Sequence, residues 1–320
     1  MNEEKPRISA LLLSKKTVFS FMLSFSILYL LVRSIDINAV IEIAKKTNMF
    51  LYAIAFILHY LSIVVRGIRW NKLLQTINIQ PGVAIATEMV FLSWFVNCIV
   101  PAKLGDVYRS YLLKKENNAP ISASIGSIFI ERVCDIAILL FLLTLSGLLI
   151  FRKNMPVQIS EALEIGYILL ATVVIGLVAL WIFKDRLLVI VPDRFLFHFN
   201  NLHNGLYNSF SDGPTILLVI TLTALAWAME AARFFLVTRS LGLEIGFEII
   251  IFIVLAASLL TAIPLTPAGL GAVEVSIVFI LGIIGIDATL GTSLALLDRL
   301  ISYWSMLVTG SIAYMLSDRT

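Results

Sequence analysis

Charge is scarce in this sequence. Lys, Arg, Asp and Glu together supply 14% of its 320 residues, against 59% that are hydrophobic. A soluble domain carries roughly 25% charged residues, and a soluble fold of this length could not cover its surface with so few. Cysteine is nearly absent. The two present, Cys98 and Cys134, lie inside apolar runs, which fits small buried side chains better than a disulfide or a metal site. The three histidines, His59, His198 and His203, show no ligand spacing with cysteine or carboxylate. There is no glycine-rich nucleotide loop, no metal-ligand spacing and no nucleophile motif. An ATP-driven pump is therefore not expected of this chain, nor is a metal or a cofactor. Basic blocks with interleaved aromatics are missing too, so nucleic acid is not an expected partner.

What is present is a series of long apolar runs, at residues 18–32, 50–65, 83–100, 136–151, 165–183, 216–228, 247–263, 270–286 and 300–316. A helix needs roughly 20 residues to cross the ~30 Å hydrocarbon core, so most of these can span once flanking residues are added. In hydrocarbon every backbone amide must be paired internally, which makes such runs helical. A membrane barrel would show alternating segments of about ten residues instead. The expected fold is an all-α polytopic membrane protein, a single integral domain over residues 1–320, in the cell (cytoplasmic) membrane. Lys5, Arg7, Lys15 and Lys16 precede the first run. No small-residue cleavage site follows Val32, so the run reads as an uncleaved anchor. The longest stretch without a span, residues 184–214, is too short for a catalytic domain, which typically needs roughly 50 residues. Its mixture of Phe, Leu, Asn and basic residues suits a cytoplasmic amphipathic connector, punctuated by Pro192 and Gly213-Pro214. The chain is not expected to be an enzyme.

An internal repeat organises the rest. Pro101-Ala102-Lys103-Leu104-Gly105-Asp106 recurs as Pro267-Ala268-Gly269-Leu270-Gly271-Ala272 at an offset of 267 − 101 = 166. Glu131-Arg132 recurs as Asp298-Arg299 at 298 − 131 = 167, and Arg69 matches Arg233 at 233 − 69 = 164. The units cover about 50–151 and 215–316. Repeated halves with corresponding Pro/Gly-interrupted segments point to a transporter's binding site. The segment 103–113 has eleven residues, about 16 Å of helix, too short to cross alone. A re-entrant hairpin with Pro101 at its tip makes the two units inverted; a single interrupted crossing makes them parallel. With the N-terminus in the cytoplasm, the hairpin places Arg66, Arg69, Lys72, Lys114, Lys115, Lys184, Arg186, Arg194 and Arg319 inside. It leaves Arg33, Lys45, Lys46, Arg152, Lys153 and Arg239 outside, and the positive-inside rule favours it. The length of 83–100, large for half a membrane, counts against it.

Charges within the apolar stretches are the candidate binding residues, because intramembrane charge is expensive and faces a cavity or another charge. Lys103, Asp106 and Arg109 flank the first break, with Asp106 and Arg109 spaced to pair on one helix face. Glu131, Arg132 and Asp135 form a second cluster just before the run at 136. Its plain reading is snorkelling at a membrane boundary, but its repetition as Asp298-Arg299 weighs against that. Pro264, Pro267, Gly269, Gly271 and Glu274 make the second break. A helix starting there presents its amide end to a cavity, which suits an anion. Glu274 reads equally as a structural partner of Arg132 or Arg299. Arg66, Arg69 and Trp70, with Glu230 and Arg233, end the first helix of each unit, where interfacial anchoring is the stronger expectation.

The segments RGIRW at 66–70, VPAKLGDVYRSYLL at 100–113, ERVCDI at 131–136, IPLTPAGLGAVE at 263–274 and LLDRLISYW at 296–304 resemble the lysylphosphatidylglycerol synthase transmembrane family. That family includes the membrane half of the bacterial multiple peptide resistance factor and membrane regions attached to archaeal glycosyltransferases acting on polyprenyl lipids. The resemblance covers nearly the whole chain and implies a flippase-like domain that moves polar-headed lipids between leaflets. The matching positions are Lys103, Gly105, Asp106, Arg109, Glu131, Arg132, Asp135, Pro267, Gly269, Gly271, Glu274, Asp298 and Arg299. The resistance factor carries a soluble aminoacyltransferase domain after its membrane region. No such domain follows Leu316 here, so aminoacyl-lipid synthesis is not carried over.

Two functions follow from these readings. One is a flippase-like transporter whose partners are membrane lipids with glycero- or polyprenyl-phosphate headgroups. Lys103, Arg109, Arg132 and Arg299 would neutralise the phosphate, with Asp106, Glu131, Asp135, Glu274 and Asp298 as their counter-charges or as sites for a headgroup ammonium or a proton. The other is an accessory subunit holding a polyprenyl phosphate for a separate glycosyltransferase or lipid synthase.

Overall fold

The computed structural model describes residues 15–33, 37–101, 103–151, 155, 157–211, 213–261 and 266–319. Pro264, Lys5, Arg7, Arg152, Lys153 and Asp212 lie outside the described residues. Every regular element described is helical. Helices α1 (Lys15–Arg33) and α2 (Ile37–Lys45) lead into α3 (Met49–Gln75). Asn48 starts α3 by accepting the amides of Phe50 and Leu51 at 3.1 and 3.3 Å, satisfying two of the donors a helix start leaves bare. A first hairpin follows, α4 (Val83–Ile99) and α5 (Leu104–Asn117), and then the 31-residue α6 (Ile121–Phe151). Next come α7 (Val157–Ile182), the short α8 (Lys184–Ile190), α9 (Asp193–Ser211) and α10 (Gly213–Ser240). A second hairpin joins α11 (Phe247–Leu260) to α12 (Ala272–Ile283) through a 3₁₀ turn at Pro267–Gly269. The chain closes with α13 (Ala288–Arg299), a π-helical turn at Leu300–Trp304 and α14 (Ser305–Leu316), which continue one another without a break.

Among the described residues, four helices are long and apolar enough to cross a membrane: Met49–Gln75, Ile121–Phe151, Ile159–Ile182 and Gly213–Ser240. The first and last of these, α3 and α10, form the most extensive helix pair. The Asn48 amide donates to the Ser240 carbonyl at 2.8 Å, and Arg69 donates to Thr223 at 2.8 Å. The start of α3 therefore meets the end of α10, and the two run antiparallel. Behind them, α6 packs on α9 and α11, while α14 packs on α4. Helix α7 is peripheral: Ile168, Ile175 and Trp181 are 65%, 68% and 53% exposed, as suits side chains facing hydrocarbon.

The first hairpin turns where the sequence breaks. Lys103 takes a left-handed conformation (φ 53°) just after Pro101, and α5 returns against α4. Gly105 makes that contact possible. Its amide donates to Asn97 Oδ1 at 2.8 Å, and a Cβ there would stand 2.0 Å from the Ser93 carbonyl oxygen. At the second break Ala268, Gly269 and Gly271 all have positive φ, at 44°, 72° and 88°. Only glycine adopts the last two without steric cost.

The acid–arginine pairs stand inside helical stretches. Glu131-Arg132 lies ten residues into α6, and Asp298-Arg299 sits where α13 passes into the π turn. The small polar residues 122–127 are helical as well, so the apolar run begins later than the helix that carries it. The connector does not simply lie on a surface, because α9 crosses α6 glycine to glycine. A Cβ on Gly205 would meet the Ala123 carbonyl oxygen at 2.3 Å, and one on Gly126 the Leu202 carbonyl oxygen at 2.8 Å.

Candidate functional site

A cavity of about 270 Å³ lies between the two halves of the chain. The tips of both hairpins reach it: Pro101 and Lys103 from the first, Thr266 and Ala268 from the second. Helix α6 contributes Arg132, Asp135, Ile136 and Leu139, and the α13–π junction contributes Asp298, Arg299 and Ser302. The central pair supplies His59 and Arg66 from α3 and Trp227, Glu230 and Arg233 from α10. Val254, Ala257 and Leu259 of α11, with Ile136 and Leu139 of α6, add apolar side chains to the lining. The lining thus combines charged and apolar residues.

Its charges are held by ion pairs. Arg69, fully buried, spans Asp135 at 2.6 Å and Glu131 at 2.8 Å. Arg132 bonds Glu131 at 2.5 Å and approaches Asp135 at 3.2 Å and Asp106 at 3.6 Å. Arg109 meets Glu131 at 3.3 Å and Asp106 at 3.6 Å, and lies 4.4 Å over the Trp70 ring. In the other half, Arg233 pairs with Glu230 at 3.1 Å and also with Asp298. Arg299 pairs with Glu274 at 3.1 Å and donates to the Ala268 carbonyl at 3.0 Å, pinning the second tip. Arg66 lies 5.0 and 5.3 Å over the rings of Trp94 and Trp227, and its approach to Asp135 is 4.0 Å. In all, six arginines interleave with six carboxylates, and Lys103 stands beside them without an ion pair among the described residues.

Among the residues singled out from sequence, Lys103, Asp106, Arg132, Asp135, Asp298 and Arg299 line the cavity, as does Pro101. Arg109, Glu131 and Glu274 do not. They stand behind the lining with 1% exposure each and hold its residues in place. Pro267 and Gly269 are buried in the second turn, Gly105 in the hairpin contact and Gly271 at the start of α12. The expectation that α12 offers bare amides to an anion is corrected. Glu274 reaches back one turn and accepts the Gly271 N–H at 2.8 Å, so a carboxylate of the chain already occupies that helix start.

A model of the lysylphosphatidylglycerol synthase TM region matches residues 17–310. The chain belongs to that family. A UPF0104 membrane protein of Methanocaldococcus jannaschii is 36% identical over 235 residues, 70% of this chain and 95% of its own length. Another, from Methanothermobacter thermautotrophicus, is 28% identical over 93% of both chains. The glycosyltransferase AglD of Haloferax volcanii is 23% identical over 94% of this chain but only 54% of its own length. Together with the apolar helices, these matches make the chain a multi-pass membrane protein. Only the membrane region of the lysylphosphatidylglycerol synthase family is detected in it.

For this family member, sequence reasoning undervalued one set of residues. Arg66, Arg69 and Trp70 are not interfacial anchors: they are 4%, 0% and 0% exposed. Glu230 and Arg233 are likewise buried, at 7% and 5%. His59, Trp94 and Trp227 were not singled out at all, yet all three line the cavity. The local sequence carried no signal to the contrary: Ser62, Asn71 and Lys72 accompany Arg66 and Arg69 as they would at an interface.

Proposed function

We propose that this chain is a flippase-like lipid transporter, in which a lipid with a polar, phosphate-bearing headgroup enters the cavity and passes between leaflets of the cell membrane. The observation that carries this reading is the shared cavity, where both hairpin tips meet Arg132 and Arg299. Its charged lining residues suit a phosphate, and Ile136, Leu139, Val254 and Leu259 in the same lining suit the chain of an amphiphile. Guanidinium groups bind phosphate bidentately, and their attraction grows where water is excluded.

Inverted halves, with re-entrant hairpins, are part of the proposal. Several features support them. Helix α3 begins at 49 and α10 at 213, an offset of 164, and these equivalent helices run antiparallel. Parallel units would place them parallel. Positive-φ turn residues recur at matching places: Asn78 and Gly242, Lys103 and Gly269, Asn118 and Gly285. Each half also ties the end of its first helix to the acid of its acid–arginine pair, Arg69 to Glu131 and Arg233 to Asp298. The arrangement matches transporters that rock one repeat against another around a midplane site. The N-terminus and the 184–214 connector are placed on the cytoplasmic side, on the distribution of basic residues.

The test is reconstitution of the purified chain in liposomes with a panel of labelled lipids differing in headgroup. Headgroup-dependent translocation above that of protein-free vesicles is expected. A second reading has its own observation. The matched part of AglD is about half of a protein named as a glycosyltransferase, which favours a membrane subunit holding a polyprenyl phosphate for a separate enzyme. Binding without translocation in the liposome assay is the outcome that selects it.

A further inference from the structure

Around the cavity, cations outnumber carboxylates among the described residues. Each lining carboxylate, Asp106, Asp135, Glu230 and Asp298, is held by an arginine nitrogen within 3.6 Å. The cations are less fully satisfied. Lys103 lines the cavity with no hydrogen-bond or ion-pair partner among the described residues. Arg66 is 4% exposed and makes no hydrogen bond; its nearest carboxylate is 4.0 Å away and its Nε has no partner. The Nε of Arg132 is also without a hydrogen-bond partner. With six arginines set against six carboxylates, Lys103 is the cation in excess. His59 lies beside Glu230, at 3.8 Å.

Backbone geometry fixes where this cation stands. Lys103 occupies the left-handed residue between the hairpin turn and α5, so its position follows from the turn itself. At the corresponding place in the second tip stands Gly269, so the excess belongs to one side of the cavity. A cation in excess of its counter-charges is costly in a medium of low dielectric, and Lys103 stands half-buried among Arg66, Arg132, Asp106 and Asp135. An arriving anion removes that cost. An arriving ammonium finds Asp135, Glu230 and Asp298 each paired with an arginine, and Asp106 with Arg109 and Arg132 both 3.6 Å away, so it meets a cation beside every lining carboxylate.

We propose that the headgroup taken by this cavity is a phosphate without an ammonium group, neutralised by Lys103 with Arg66 beside it, and that aminoacylated headgroups are disfavoured. This inference rests on the lipid-transport reading above and names its substrate class.

The test is native mass spectrometry of the full chain in detergent with dioleoyl phosphatidic acid, dioleoyl phosphatidylglycerol and lysyl-dioleoyl phosphatidylglycerol, which share their acyl chains. The two anionic lipids are expected to bind at least about tenfold more tightly than the lysylated one. Lys103→Ala should reduce that preference by about tenfold, and Lys103→Arg should retain it. Lys103→Met, which keeps the length of the side chain, replaces alanine if alanine lowers the melting temperature. Lysyl lipid binding as tightly as the anionic pair, or a preference unchanged in the Lys103 variants, overturns the inference. Inorganic phosphate serves as competitor. Displacement of phosphatidic acid by equimolar phosphate would assign the site to a soluble anion and overturn the lipid headgroup. If none of the three lipids binds the parent protein, the transport reading fails, which is distinguishable from a reversed order of preference.

Discussion

Arg69 and Arg132 belong to one network yet face different fates on substitution. Arg69 is fully buried between Asp135 and Glu131, so Arg69→Ala leaves two carboxylates uncompensated. Breaking a buried pair in this way costs about 3–5 kcal/mol, and a large fall in melting temperature in detergent is expected. The side chain of Arg132 is 31% exposed toward the cavity, and that of Arg299 is 7% exposed. Arg132→Ala is expected to abolish lipid translocation in liposomes while the protein still inserts and melts cooperatively; Arg299→Ala is expected to abolish it and also to lower the melting temperature, because the buried Glu274 loses its ion-pair partner. Arg→Lys at either position should recover part of the activity, since charge returns without the planar fork. Translocation at the parent rate in both alanine variants would reduce these arginines to structural roles. At this scale the sequence named most of the cavity's charges. It could not tell that Arg109, Glu131 and Glu274 stand one layer back, because residues three and four apart on a helix share a face only loosely, and the partner helix decides which of them reaches open space.

Among the elements, the hairpins carry the argument. The break at Pro101 and the short helix after it were legible because proline cannot continue a helix, whereas the left-handed turn at Lys103 was not, since a residue other than glycine rarely takes positive φ. The return of α5 along α4 depends on Gly105, where a Cβ would lie 2.0 Å from the Ser93 carbonyl oxygen. Gly105→Ala is therefore expected to destabilise the protein by about 1–3 kcal/mol through overpacking. Gly176→Ala is its control. No atom lies within 4 Å of a Cβ there, and alanine in a helix interior should be neutral or stabilise by up to about 1 kcal/mol. Thermal melting of both variants in one detergent makes the comparison; equal melting temperatures would show that the hairpin tolerates a wider separation. The packing of α9 on α6 was not legible. Gly126 and Gly205 are 79 positions apart in sequence (205 − 126), and nothing local marks two glycines as a crossing point.

For the whole molecule, the inverted arrangement makes a prediction about sidedness. Residue 117 and the residues of α8 and α9 are expected on the cytoplasmic side, together with the N-terminus. Single cysteines at 117 and 204, in a background with Cys98 and Cys134 replaced, should resist an impermeant thiol reagent in intact cells and react after permeabilisation. Labelling at 117 from outside would remove the re-entrant hairpin and with it the inverted pair. Both native cysteines are buried, at 4% and 8% exposure, so serine-sized replacements at these positions add little bulk; a thermal melt checks the background protein.

By itself the sequence determined that this chain lives in a bilayer, because 14% charge cannot solvate its surface and apolar runs of this length must be helical in hydrocarbon. It also marked the two breaks at Pro101 and Pro267, since proline cannot continue a helix, while the positive φ of Lys103 and Ala268 is set by the folded chain. It placed the expensive charges as well, and their repetition showed that they come in two matched sets. What only the tertiary structure decided is which charges face each other. Arg66 and Arg69 read as interfacial anchors until α10 packs antiparallel against α3 and buries them beside Glu230 and Thr223. An arginine at a helix end and an arginine in a buried network have the same local sequence. The difference lies in helices more than 150 residues away along the chain (223 − 69 = 154), and only their approach sets the dielectric, the counter-charges and the one lysine left over.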